Sequence, residues 1–562
     1  MEIREYAFDQ SECDSIPDFN GSTDWPVVYM ISNDDEAYIG ETCSIRNRVR
    51  QHLSNPDRQA LKRIDIIFDD RANKSATLDV EQSLIRLCSA DGRFRLQNLN
   101  SGQSASHNYY QREAYIRLLP VIWAELLRRE LATHSYDSLV NSDLFKYSPY
   151  TALTPEQDCA ASEILHDMVE RVSSGRDGTF LVRGSAGTGK TVLAMSLMLT
   201  LANASRKDVD SARDIGEFDV GERTLHNLSA LAAKEDGLKI ALVVPMTSLR
   251  KTLQKVFKAT PGLRSGMVIG PNDVVKDDYD ILIVDESHRL MRRRNLTSYG
   301  SFDDVCRSLD MDHLESTQLD WILRCSRYRI LFYDTDQTVK GSDIPDDRFM
   351  DTIGEHKEWR LENQLRCDGG RNYTDYIRNI LACRQKSFED IPGYDLRLFD
   401  DVDEMVESIK DLDREMGLCR NVAGYSWKWN TKGMSADDIA SKGVYDIDID
   451  GHRYIWNMSN SEWILREGSV NEIGCIHTTQ GYDLNYVGVI FGREIDYDPV
   501  LDEITIDTDL FFDKGVKNGC DERTVREYVI NAYRVMLARG IRGCYVYACN
   551  RNLREYLHRF IK

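Results

Sequence analysis

The run Gly184-Ser-Ala-Gly-Thr-Gly-Lys190-Thr191 constrains folding more than any other stretch of this sequence. It follows an apolar run, Thr179-Phe-Leu-Val-Arg, and leads into a helical one, Val192 to Leu201. Gly184, Gly187 and Gly189 let backbone N–H groups close around a phosphate, and a helix beginning at the loop turns the favourable end of its dipole towards the anion. Lys190 can reach β/γ-phosphates and Thr191 can ligate Mg²⁺. Further short apolar runs suit central strands of a parallel sheet covered on both faces: Ile240-Ala-Leu-Val-Val, Ile281-Leu-Ile-Val and Ile330-Leu-Phe-Tyr. Val487-Gly-Val-Ile-Phe and Gly543-Cys-Tyr-Val-Tyr suggest a second such sheet.

One of these runs ends in acid: Ile281-Leu-Ile-Val-Asp285-Glu286-Ser-His288. Nucleotide hydrolysis needs two carboxylates there, Asp285 to hold Mg²⁺ through water and Glu286 to orient or deprotonate the attacking water. An acidic strand end alone is ordinary surface. About 95 residues after a phosphate loop, it becomes a catalytic assignment with ATP and Mg²⁺ as cofactors.

At 562 residues the chain is too long for one core, and about 150 residues per domain predicts three or four units. No apolar stretch approaches the roughly 20 residues of a membrane span, and Met1-Glu-Ile-Arg-Glu-Tyr lacks a basic segment followed by an apolar one. A soluble, cytoplasmic protein without a membrane partner is expected. Thirteen cysteines without close Cys-x-x-Cys pairs read as reduced, mostly buried thiols. A net charge of -21 argues against a wholly basic surface but permits a locally positive channel for nucleic acid.

Ahead of the loop, an acidic lead of about 24 residues gives way to a hairpin, Val27-Val-Tyr-Met-Ile-Ser and Ala37-Tyr-Ile-Gly. Helical stretches follow at Ser44 to Leu53 and Leu78 to Cys88, with a strand at Ile64-Asp-Ile-Ile-Phe between them. From Tyr110 to about Thr133, Tyr115, Leu118, Leu119, Ile122, Leu126 and Leu127 recur at helical spacing, which predicts a helical bridge. Asn141 to Leu153 reads as an irregular connector.

Tyr38-Ile-Gly40-Glu-Thr-Cys-Ser-Ile-Arg-Asn-Arg48-Val-Arg-Gln-His52 resembles the signature of GIY-YIG nucleases, which place Arg ten residues and His fourteen after the first Tyr. Val27-Val28-Tyr29 stands where that family has Gly-Ile-Tyr. Glu81 matches the metal-binding Glu, and Asn98 or Asn100 the terminal Asn. The resemblance implies one Mg²⁺ on Glu81 polarising the scissile phosphate, Arg48 offsetting developing charge, and Tyr38 or Tyr29 activating water, with His52 as an alternative relay. Residues 25–105 hold eleven Lys/Arg and eleven Asp/Glu, so such a unit needs delivery to its substrate.

From about Ser148 onwards the chain resembles a superfamily 1 helicase, more narrowly the Schlafen-type helicase domain. Leu153-Thr-Pro-Glu-Gln157 looks like the motif whose Gln recognises adenine, and Val243-Val-Pro-Met-Thr247 like the first strand-contacting motif. Tyr333-Asp334-Thr-Asp-Gln337 is similar to a Gly-Asp-x-x-Gln γ-phosphate sensor, with Tyr333 for its glycine. Gln364-Leu-Arg366-Cys, His477-Thr-Thr-Gln480-Gly481-Tyr-Asp483 and Asn531-Ala-Tyr-Arg534-Val-Met-Leu-Ala-Arg539 resemble the fourth, fifth and sixth motifs, which makes Arg366 and Arg539 arginine fingers. Two features are read as structural. Trp427, Trp429, Trp456 and Trp463 suit a core more than a base-stacking surface, and Asp446-Ile-Asp448-Ile-Asp450-Gly451 suits a hairpin, since a calcium loop would end in Glu and Asn457 stands there.

The expected architecture is α/β: an arm (1–24), a small GIY-YIG unit (25–105), a helical linker (106–150), and two RecA-like parallel-sheet domains (151–360 and 361–562, with an insertion near 425–470). The expected function is an ATP-driven helicase or translocase with a Mg²⁺-dependent endonuclease, acting on nucleic acid, DNA before RNA, in defence against phage. A homo-oligomer or a defence-system partner stays open. A repair or recombination enzyme, and an ATPase switch whose degenerate nuclease unit only binds, are the alternatives.

Overall fold

The computed structural model describes residues 1–19, 24–98, 109–110, 112–204, 238–296, 298–334, 341–364, 367–459, 463–479, 482–517 and 520–562. Three sheets organise them. The first contains β1 (Glu2–Ala7), β2 (Val27–Ser32), β3 (Glu36–Thr42), β4 (Arg63–Phe68) and β5 (Arg95–Leu96) in the order β1-β4-β2-β3-β5. Its pairs are antiparallel except β3 with β5. The acidic lead thus begins as an edge strand rather than an arm. Glu2-Ile-Arg-Glu-Tyr-Ala buries Ile3 and leaves its charges at the rim, where an edge tolerates them.

The β2–β3 hairpin stays in register from Ser32↔Ala37 to Val27↔Thr42, so valine in the glycine position leaves the ladder intact. Alternation along β2 splits its side chains. Val28 and Met30 join one apolar cluster, while Val27, Tyr29 and Ile31 join another with Tyr38, Ile45 and Val49. Helix Ile45–Leu53 packs on the second face, and helix Lys74–Asp91, capped by Asn73 and ended by Gly92 at φ +69°, on the first.

The second sheet contains β6 (Gly178–Gly184), β7 (Ile240–Val243), β8 (Val268–Ile269), β9 (Tyr279–Val284), β10 (Ser326–Tyr333) and β11 (Lys357–Leu361). All are parallel in the order β11-β6-β10-β9-β7-β8. In the third, β12 (Asp395–Leu398), β13 (Cys419–Ala423), β16 (Ile473–Gly474), β17 (Leu484–Phe491) and β20 (Gly540–Ala548) are parallel in the order β12-β20-β17-β13-β16. Two hairpins stand outside the sheets: β14 (Ile447–Ile449) with β15 (His452–Tyr454), and β18 (Ile495–Asp498) with β19 (Glu503–Ile506). The first is the alternating Asp/Ile run, turning at Asp450 and Gly451, as expected. Trp456 and Trp463 are buried in core, also as expected. All thirteen cysteines are free.

The helical bridge differs in detail. It breaks into Arg112–Ile116 and Leu119–Arg128 because Pro120 has no N–H for the carbonyl of Ile116. The connector beyond is ordered too. Ser142 caps a short helix, Asp143–Lys146, that reaches three neighbours. Arg86 stacks on Phe145 and donates to its carbonyl, Thr252 donates to Asp143, and Lys146 donates to the carbonyl of Asp483. One buried cluster runs from Val28, Met30 and Leu84 through Trp123 and Ile164 to Phe180 and Met195. Separate cores, expected for the N-terminal unit and the domain after it, are therefore not found: that unit buries one face against helices shared with the second sheet.

Candidate functional site

The phosphate loop leaves the C-terminal end of β6 and enters helix Lys190–Ala204, the strand–loop–helix order read from sequence. Gly187 and Gly189 adopt φ of +87° and +76°, the left-handed region that a side chain disfavours. Lys190 Nζ donates to the carbonyls of Gly184 (2.7 Å) and Ser185 (2.9 Å) and pairs with Asp334 Oδ2 at 3.1 Å. Parallel pairing of β6 with β10 carries Asp334, just past β10, to the lysine.

Thr191 Oγ1 donates to Asp285 Oδ2 at 2.8 Å, so the two expected Mg²⁺ ligands already touch. Burial and the adjacent Glu286 push the Asp285 carboxyl up. Glu286 has φ +52°, a strained setting for a non-glycine residue, and its carboxylate meets His288 Nε2 at 3.0 Å. Burial pushes Glu286 up, but His288, Lys190 and Arg289 outweigh it and hold the group well below the usual range. Ionised Glu286 beside the phosphate loop is what a water-orienting base requires.

Gln157 is buried with its amide engaged on both sides. Oε1 accepts from the Thr154 backbone in a capping box, and Nε2 donates to the carbonyl of Thr188 at 3.0 Å. It thus braces the loop, and adenine recognition would require exchanging those bonds. Gln364 Nε2 donates to the carbonyl of Ala186 at 2.5 Å from the far side. Asp334 and Gln364 belong to motifs visible in the sequence, but only the fold brings them against the loop.

These contacts acquire a frame from the family match. Residues 177–550 fit the model for the Schlafen group 3, DNA/RNA helicase domain, more than half the chain. The chain belongs to this family. A helicase-type, ATP-hydrolysing domain therefore accounts for the two parallel sheets and the loop. A protein of Saccharomyces cerevisiae described as uncharacterized is 26% identical over 446 residues, 72% of this chain and 90% of that protein. Among solved structures, Bacteroides Pif1 bound to single-stranded DNA has 9% identity and a TM-score of 0.25 over 70% of this chain and 93% of its own. Candida albicans Pif1 has 10% identity and a TM-score of 0.25 over 70% and 97%. Likenesses that faint add nothing to the assignment. Among the described residues, no helix is long and apolar enough to cross a membrane.

Within the Schlafen helicase domain, Arg539 is 2% exposed, and Nη1 donates to the carbonyl of Tyr482 at 3.4 Å, inside the third-sheet domain. His477 of the fifth motif bonds Asp513 at 2.8 Å, and both line a cavity of about 430 Å³ with Asn272, Asn295 and Gln318 of the second-sheet domain. In the run Arg292-Arg-Arg294 just after β9, Arg293 pairs with Asp303, and Arg292 donates to the carbonyl of Gly341. Gln337, Arg366, Gln480, Gly481 and Asn100 lie outside the described residues.

A second cluster lies in the N-terminal unit. Tyr29 from β2, Tyr38 from β3, Arg48 and His52 from the following helix, and Glu81 from helix Lys74–Asp91 are brought to one region. Tyr29 Oη is 2.7 Å from His52 Nε2 and accepts from Arg48 Nε at 3.2 Å, and the Tyr38 and His52 rings lie 4.9 Å apart. Burial, then Tyr38, pushes the Tyr29 phenol well above its ordinary range, with Arg48 opposing. Glu81, 9% exposed, is pushed up to about 8 by burial and by the charge of Glu41. Glu41 also accepts from Lys74 and Thr77. Asn98 pairs with both backbone groups of Ile39, which makes it a splint on β3.

Among the described residues, no three His, Cys, Asp or Glu gather as a closed metal cage. The chain's donors fit Mg²⁺, which usually takes one or two carboxylates and keeps substrate and water oxygens. Glu81 would hold one such ion, and Thr191 with Asp285 another.

Proposed function

We propose that this chain uses ATP to travel along nucleic acid, DNA before RNA, and cuts the phosphodiester backbone at its N-terminal cluster. The observation that carries the cleavage reading is the convergence of Glu81, Arg48, Tyr29, Tyr38 and His52 from four elements on one region. A guanidinium, a carboxylate and phenols beside one another are the groups a phosphodiesterase needs. When bound, Mg²⁺ on Glu81 supplies a Lewis acid for the scissile phosphate. Arg48 offsets charge on the non-bridging oxygens, and Tyr38 or Tyr29 takes the proton of the attacking water. In the motor, Lys190 binds β/γ-phosphates, Thr191 and Asp285 hold the cation, and Glu286 orients water. Gln157, Gln337 and Gln364 read the nucleotide and its loop, while Arg366 and Arg539 stabilise transition-state charge as the sheets close.

Defence against phage suits a motor that delivers a weakly charged cutter to foreign nucleic acid. One observation favours a second reading: Tyr29 is 0% exposed, as expected if the unit only binds. Purified full-length protein should be given plasmid, single strands and transfer RNA, with Mg²⁺ and with or without ATP. Glu81→Ala should lose cleavage and keep nucleic-acid-stimulated ATP hydrolysis, with Lys190→Ala losing ATP turnover. Equal cutting by wild type and Glu81→Ala would place the nuclease elsewhere. No cutting by wild type under any condition would leave the binding reading.

A further inference from the structure

Helix Thr247–Ala259, which leaves the C-terminal edge of the second sheet after β7, carries charge of one sign only. Between Ile240 and Asn272 the chain has five Lys/Arg and no Asp or Glu, although the whole sequence holds 92 acids against 71 bases. The apolar face of the helix, Leu249, Leu253, Val256 and Phe257, is buried in the core. Lys251, Lys255 and Lys258 stand at i, i+4 and i+7 on the opposite face and are exposed, as is Arg264 just beyond the helix.

Exposed cations around this stretch find acids close by: Lys239 pairs with Asp277 at 2.7 Å, Lys276 with Asp273 at 2.6 Å and Arg307 with Asp304 at 2.8 Å. Asp273, the first acid after the run, also accepts from the Gly270 N–H, so it is already engaged. Among the described residues, the side chains of Lys251, Lys258 and Arg264 have neither a hydrogen bond nor an ion pair. Lys251 and Lys255 are like charges four residues apart, a repulsion that a bound anion relieves.

Geometry and location say which anion. Lys251 and Lys258 are about 10 Å apart along the helix axis, the length of about three phosphates of one strand. With its apolar face spent in the core, the helix has none left to enter a lipid surface. Thr252 donates to Asp143 of the connector helix Asp143–Lys146, and Phe145 of that helix lies under Arg86, from the helix that carries Glu81. The lysine face therefore adjoins a unit whose residues 25–105 balance eleven Lys/Arg with eleven Asp/Glu.

We propose that the lysine face of helix Thr247–Ala259 is a nucleic-acid backbone site, where Lys251, Lys255, Lys258 and Arg264 hold phosphates beside the N-terminal unit. The contact is electrostatic and indifferent to base sequence. A chain charge of -21 does not oppose it, since charges beyond about 8 Å are largely screened at physiological salt. The choice of nucleic acid as the polyanion rests on the function proposed above.

The test is fluorescence anisotropy of labelled single-stranded and hairpin oligonucleotides with full-length protein, at salt from about 50 to 200 mM. Combining Lys251→Gln, Lys255→Gln and Lys258→Gln should raise Kd at least about 10-fold at the lowest salt, equally for unrelated sequences, and make the slope of log affinity against log salt shallower by about 2 to 3. The triple change to Arg should keep the wild-type slope, and an unchanged melting temperature shows that the Gln variant is folded. A wild-type slope in the folded Gln variant overturns the proposal, as does a loss confined to one base sequence. So does lost binding to anionic lipid vesicles while oligonucleotides bind as in wild type, or a wild type that binds no oligonucleotide. The expected pattern in a protein whose ATP turnover and cutting never respond to nucleic acid upholds the surface and removes the motor and nuclease reading alone.

Discussion

Glu286 is partly buried and Glu81 buried, and their surroundings drive the two carboxylates in opposite directions. Near Lys190, His288 and Arg289, Glu286 stays ionised. Glu286→Gln should lower ATP turnover at least about 100-fold while nucleotide binding, read with a fluorescent analogue, persists. Turnover near wild type would remove Glu286 from the hydrolytic role. Glu81, at about 8 against an unfolded value of 4.5, binds its proton more tightly in the folded chain. Between those values the folded state holds a proton that the unfolded state has released, so stability falls as pH rises, by at most about 1.4 kcal/mol per pH unit. Metal-free Glu81→Gln should consequently melt higher than wild type at pH 8 and close to it at pH 5, by calorimetry in chelator. A constant difference across pH would show that burial does not act on Glu81 in this way. Much at this scale was legible in sequence, because Lys190, Thr191, Asp285 and Glu286 work through neighbours fixed by local strand–loop–helix geometry. The contacts of Asp334 and Gln364 with the phosphate loop are not legible there, since they arise only when distant segments meet.

The β2–β3 hairpin shows what an element demands of its residues. Tyr29 faces Gly40 across the ladder, and a Cβ on Gly40 would lie 2.3 Å from the Tyr29 hydroxyl. Gly40→Ala should therefore cost about 1–3 kcal/mol in denaturant unfolding and weaken cleavage by tilting Tyr29 away from His52 and Arg48. Unchanged stability would mean that Tyr29 has room to move and that the hub is loose. The hairpin, the helix after it and the parallel strands were readable from periodicity and turn residues. β1 was not, because an edge strand with Glu2, Arg4 and Glu5 carries the composition of an arm. Apolar spacing continues straight through Pro120, so periodicity predicts one bridge helix where the chain forms two.

Across the whole molecule, Val28, Met30 and Leu84 belong to the cluster that includes Trp123, Ile164 and Phe180. Deleting residues 1–110 should uncover its far side, at about 1.5–3 kcal/mol per large apolar side chain exposed. The expected outcome is aggregation in size-exclusion chromatography and a lower melting temperature for what remains. A monodisperse fragment melting with the intact protein would show that the units fold separately.

That shared cluster also bears on ancestry. A unit hung on a tether can pass between chains without disturbing its host, because no host residue is shaped to receive it. Here Trp123, Leu126 and Ile164 are buried together with residues of the N-terminal sheet, so exchanging that sheet for an unrelated one would leave them facing water. Drift on either side of the seam is therefore constrained by the other.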